Sequence, residues 1–111
     1  MKKIILPLLL TSISYSSLSH ATASSISCKN NAIEDAQKLL NFYRDNDNRI
    51  RINDKVTPLE KIKNPANKSQ SFDVLEMWGY LYKGQYRIRL IYSAESGCLL
   101  MGEEILEYAD L

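Results

Sequence analysis

Cys28 and Cys98 are the only cysteines in the chain, and no other feature restricts the fold as much as the need to bring them together. A disulfide holds its two Cα atoms about 4.4–6.8 Å apart. The chain must therefore return to within that distance after a loop of 70 residues. In the chain-entropy account, closing such a loop is worth roughly 4 kcal/mol, an upper-end figure because native strain and residual unfolded structure subtract from it. A single small domain has a thin core, so a staple of that size bears directly on whether it stays folded.

The pairing needs an oxidising compartment, and the N-terminus points to one. Met1-Lys2-Lys3 precedes an apolar run from Ile4 to Leu10, and a Ser-rich stretch then ends in Ala21-Thr22-Ala23. A positive start, a short apolar centre and a small-residue A-x-A site are the three parts of a secretory signal peptide, in the right order. The apolar run is too short to span a bilayer, which takes about 20 residues. Residues 1–23 are thus expected to be a leader cut after Ala23, leaving one domain over residues 24–111 in the periplasm or outside the cell of a bacterium. No membrane insertion is expected after cleavage. A lipoprotein would carry a Leu-(Ala/Ser)-(Gly/Ala)-Cys box; Ser25-Ile26-Ser27-Cys28 departs from it and would strand Cys98. Two cysteines in an exported chain read instead as one disulfide.

Processing also changes the charge. Lys2 and Lys3 leave with the leader, so 12 basic residues face 13 acidic ones, a net of −1. No basic excess remains to neutralise phosphates, which argues against a nucleic-acid partner. The sole histidine, His20, also lies in the leader. Hydrolases built on an imidazole base lose their base, and zinc sites lose their commonest ligand. The cysteines are too far apart for a Cys-x-x-Cys redox pair, and no Gly-rich phosphate loop is present among four glycines. Asp45-Asn46-Asp47-Asn48 starts like a calcium loop, but Arg49 and Ile50 stand where an oxygen ligand and a glycine are needed. Glu103, Glu104 and Glu107 are the carboxylates left for acid–base work. No metal, no cofactor and no catalytic residue is assigned.

Hydrophobic spacing suggests the architecture. Asn31-Ala32-Ile33-Glu34 resembles a capping box, and Ala32, Ile33, Ala36, Leu39, Leu40 and Tyr43 recur at helical period. A helix over 31–45 follows, ended by the Asp/Asn run. Arg49 to Ile52 alternates like a short strand, and Thr57-Pro58-Leu59-Glu60 reads as the start of one helical turn. Residues 66–71 read as a polar loop. Residues 72–82 and 85–93 read as two strands joined by a Lys83-Gly84 turn. A third strand starts at Cys98, and residues 103–109 suit strand or helix. The expected fold class is α+β, with one N-terminal helix on a three- to four-stranded antiparallel sheet in two layers. This order resembles the cystatin outline in shape; no cystatin motif is present, so no activity follows.

The hairpin register predicts two unlike faces. Leu75, Met77, Gly79 and Leu81 opposite Tyr92, Leu90, Ile88 and Tyr86 form an apolar face for the helix. The other face carries Trp78, Tyr80 and Tyr82 with Arg87 and Arg89. Tyr, Trp and Arg dominate binding hot spots because they join rigid apolar area to a polar tip. The competing expectation makes these residues a second core under residues 50–62, with arginine stems lying over the rings. The function expected from exclusion and from this face is non-enzymatic: binding of a protein partner by an exported module. Inhibition of an exported enzyme is one such role. The alternatives are a structural accessory of the envelope and a small carboxylate hydrolase.

Overall fold

A stripe of small residues brings the helix down onto the sheet. The computed structural model describes residues 22–109, and residues 1–21 of the expected leader lie outside them. Helix α1 spans Lys29–Tyr43. Ala32, Ala36 and Leu40 recur every fourth residue and are fully buried, so the backbone approaches closely on the alanine side. The helix begins two residues before the expected position. Cys28 rather than Asn31 is the N-cap, and no side-chain capping bond is made there. The disulfide holds that end instead: Cys28 and Cys98 are bonded with Cα atoms 5.7 Å apart. At the other end Asp45 and Asn46 take φ of 54° and 55°, a left-handed conformation that short polar residues tolerate and that terminates the helix.

Six antiparallel strands follow: β1 (Arg51–Ile52), β2 (Thr57–Pro58), β3 (Ile62–Asn64), β4 (Asn67–Leu81), β5 (Gly84–Ser93) and β6 (Leu99–Ala109). The α+β class holds, with one helix on one antiparallel sheet, but six strands replace the expected three or four. The cause lies at one edge. β1, β2 and β3 pair in turn along the same side of β4, so an edge broken by Pro58 and by polar loops counts as three strands. β5 pairs with the other side of β4, and β6 with β5.

Two local expectations are corrected, and one left open between strand and helix is decided. Thr57-Pro58 is a strand, not a helical turn: it pairs with Glu76 and Leu75, and the Leu59 N–H donates to the Val74 carbonyl at 2.9 Å. An edge position suits a proline, which has no N–H to give the ladder. Residues 67–71 are the start of β4 rather than loop, drawn into the sheet by pairing with β3. Residues 103–109 are strand throughout, because β5 offers them a continuous partner.

The hairpin turn also moves. Tyr82 and Lys83 form it, with Tyr82 at φ 55°, so Leu81 pairs with Gly84 and Gly79 with Tyr86. The expected register is off by two residues. A two-residue slip preserves side-chain parity, and the faces survive. Leu75, Met77, Ile88, Leu90 and Tyr92 are fully buried in one core with Ala32, Ala36 and Leu40. Gly79 makes room for the helix there: a Cβ on it would lie 2.6 Å from Leu40 Cδ2.

The segment before the helix is tied in by polar contacts. Ala23 bridges to Glu60, the Ser24 N–H donates to the Leu59 carbonyl at 2.8 Å, and Ser24 Oγ accepts from the Val74 N–H at 2.7 Å. Buried Asp73 accepts from the Ser25 N–H at 3.0 Å and pairs with Lys61 Nζ at 3.2 Å.

Candidate functional site

Parity puts Glu76, Trp78 and Tyr80 of β4, Gln85, Arg87 and Arg89 of β5, and Glu104, Leu106 and Tyr108 of β6 on the face away from the helix. Rows across the sheet follow from the register. Tyr80 lies beside Gln85 and Tyr108, Trp78 beside Arg87 and Leu106, and Glu76 beside Arg89 and Glu104. Each member of a row has neighbours within side-chain reach.

Residues 50–62 do not cover the Trp78–Tyr108 end of this face, although Phe72 and Val74, of the same parity at its other end, are buried. Their paired parts lie in the plane of the sheet, edge to edge with β4, and their apolar side chains Ile50, Ile52 and Val56 join the core on the helix side. Tyr80, Leu106 and Tyr108 are consequently 37%, 42% and 40% exposed. Trp78 is half-buried, its indole 5.6 Å from the Tyr108 ring and tilted by 37°. That pairing lays down an aromatic strip across the outer strands.

The arginines are knit into the face. Arg89 Nε donates to Glu76 Oε2 at 2.8 Å, and this bond holds the Arg89 pKa above its ordinary value. Arg87 Nη2 donates to Glu104 at 3.4 Å. Its Nε lies 3.9 Å from Glu76, an ion-pair distance that leaves this N–H without a hydrogen-bond partner. The result is an acid–base ladder, Glu104–Arg87–Glu76–Arg89, flanked by the Trp78–Tyr108 pair. Such a ladder ties both guanidinium groups to carboxylates of the same face.

Of the five residues assigned to binding, the structure brings Trp78, Tyr80, Arg87 and Arg89 together. Tyr82 is separated from them by the corrected turn. It leaves the sheet face, is 79% exposed, and carries Arg49 at 5.6 Å and Lys83 at 5.8 Å from its ring centroid. Around it opens a cleft of about 330 Å³ lined by Arg49, Arg51, Tyr80 and Tyr82. The two arginines were not expected there. Their signal was the alternation Arg49-Ile50-Arg51-Ile52, which, paired with β4, puts Arg51 opposite Tyr80.

The carboxylates considered for catalysis do not converge. Glu104 lies on the open face with Arg87, whereas Glu103 and Glu107 alternate to the other side. There Glu107 accepts from the Tyr86 hydroxyl at 3.2 Å and lies 3.9 Å from Arg44. Asp47, at the third position of the calcium-like run, is held instead by Arg49. Nε and Nη2 donate to its two oxygens at 3.0 and 2.8 Å, and these bonds, with the Arg49 N–H, lower its pKa to about 2. Among the described residues no group of three or more His, Cys, Asp or Glu is placed to hold a metal ion, and no helix is long and apolar enough to cross a membrane.

Comparison of the chain with protein-family models, with curated proteins and with solved structures finds no match.

Proposed function

We propose that the protein is an exported, non-enzymatic binding module that engages a protein partner through the open face of its sheet. The observation that carries this reading is that residues 50–62 pair along the edge of β4 and leave the Trp78–Tyr108 strip uncovered. A half-buried indole beside exposed tyrosines, with two arginines held by carboxylates in the neighbouring rows, matches the residue types of interface hot spots. Preorganisation by the Glu76 and Glu104 pairs lowers the ordering cost on binding. The disulfide agrees with an oxidising compartment, and the leader-like residues 1–23 supply the route there. Inhibition of another exported protein fits this role.

The test is comparative capture. Protein recovered from the envelope or medium is expected to begin at Ser24 or within a residue or two, by intact mass. That oxidised form, immobilised, is expected to retain a discrete partner from envelope extract and to lose it on Trp78→Ala, since hot-spot truncation costs about 2 kcal/mol or more. An identical set of retained proteins with and without Trp78 would leave the structural-accessory role in its place.

A further inference from the structure

We propose that the cleft between Arg49, Arg51, Tyr80 and Tyr82 receives a glutamate or aspartate side chain from a short acidic peptide segment. The proposal rests on the open face being a protein-binding surface, because it assigns this acidic element to the same partner.

Arg51 stands opposite Tyr80 in the β1–β4 pairing, and both side chains line the cleft. Tyr82, lifted by the turn, closes the far side with Arg49 over its ring. Two phenol rings offer apolar faces to a short aliphatic stem, Arg51 offers paired donors to a carboxylate, and Arg49 offers the Nη1 that Asp47 leaves over. A volume of about 330 Å³ suits a side chain with its flanking backbone at the small end of ligand clefts.

The charge balance gives the sign of the ligand. Arg49 is aimed by Asp47, which occupies Nε and Nη2 and leaves Nη1 free of that pair. Arg51 makes no ion pair among the described residues, in contrast to Arg44, Arg49, Arg87 and Arg89. Lys83 adds a third cation beside the Tyr82 ring. Among the described residues, these three cations have one ion-pair partner, Asp47, which leaves the cleft with unmatched positive charge.

The surroundings limit the length of the ligand. Beyond Tyr80 the face runs into Glu76 and Glu104, whose arginines are already paired with them. A nucleic acid or a long anionic glycan crossing the sheet meets these carboxylates after leaving the cleft. A peptide with one or two acidic residues followed by apolar ones meets cations at the cleft and then the Trp78–Tyr108 strip.

The probe is a capped hexapeptide of two Glu followed by Leu and Ala residues (the Glu–Leu peptide), titrated into isotope-labelled oxidised protein, with its Gln counterpart (the Gln–Leu peptide), inorganic phosphate and a hexuronate oligosaccharide as parallel arms. The Glu–Leu peptide is expected to shift resonances of Arg49, Arg51, Tyr80 and Tyr82 saturably, and the Gln–Leu peptide not to. Arg51→Glu is expected to weaken binding by about tenfold or more. Tyr82→Asn is the second variant. Asn tolerates the left-handed turn that Tyr82 adopts, so it removes the ring and keeps the fold, and it too is expected to weaken the peptide. Equal shifts from the Gln–Leu peptide, no shifts at the cleft, or saturation by phosphate or uronate alone each overturn the proposal. These outcomes separate from failure of the binding-module reading, which is scored by partner loss on Trp78→Ala and not by the peptide.

Discussion

Replacing both cysteines by serine is expected to lower the melting temperature by on the order of 10–30 °C, because loss of a native disulfide in a small exported domain costs about 2–5 kcal/mol and each kcal/mol is worth about 4–8 °C. The double variant Cys28→Ser with Cys98→Ser leaves no stray thiol to confuse the measurement. The bond joins the residue that caps α1 to the residue just before β6, and therefore spans the two layers. Helix α1 otherwise meets the sheet through two alanines, one leucine and their flanking residues, a small apolar area for a 15-residue helix. Thermal unfolding followed by circular dichroism without reductant provides the comparison. A melting curve unchanged by the double substitution would mean that the fold does not depend on the staple.

The second large effect is expected at Tyr92, which is fully buried on the sheet and donates its hydroxyl to Asp35 on α1 at 2.6 Å. Tyr92→Phe removes a bond to a charged acceptor, a loss of about 1.5–3 kcal/mol. Burial first, and then the bond to Asp35, raise the Tyr92 pKa above its ordinary value near 10. Burial likewise raises that of Tyr86. Above pH 10 the unfolded chain therefore releases phenol protons that the folded chain retains. Stability is complete below that pH and falls as pH rises past it, at up to about 1.4 kcal/mol per pH unit for each such tyrosine. Urea titrations at pH 8 and at pH 11 are expected to show Tyr92→Phe less stable at the lower pH and less sensitive to the rise. Equal losses in wild type and variant would show that Tyr92 does not control the alkaline limb.

Much of this fold could be seen in the residues. The 3.6-residue recurrence of Ala32, Ala36 and Leu40 marked the helix and its buried side, and the alternation along 72–82 and 85–93 marked both hairpin faces. Both signals depend on apolar side chains repeating at the period of the element that buries them. What escaped depended on partners distant in sequence. Thr57-Pro58 has the composition of a helix start, and only its pairing with Glu76 and Leu75 makes it a strand. The turn escaped for a different reason. Lys83-Gly84 contains the residue that most easily adopts positive φ, yet Tyr82 takes that conformation, so the register moved by two and Tyr82 left the face. Because parity was unchanged, Trp78, Tyr80, Arg87 and Arg89 still came together. Arg49 and Arg51 were invisible as site residues because their place beside Tyr80 and Tyr82 is set by the β1–β4 pairing, across about 30 residues of chain.

The most direct test of an open binding face is the stability of Trp78→Ala in urea. With residues 50–62 paired at the edge of β4, Trp78 loses only its one-sided contacts and its pairing with Tyr108, an aromatic contact worth about 0.5–1.5 kcal/mol. With the partial burial of the indole added to that contact, stability is expected to fall by about 1–2.5 kcal/mol, with an unchanged slope of the urea transition. A loss of about 3–5 kcal/mol, the cost of emptying a buried aromatic site, would mean that the face is a second core and would contradict the account.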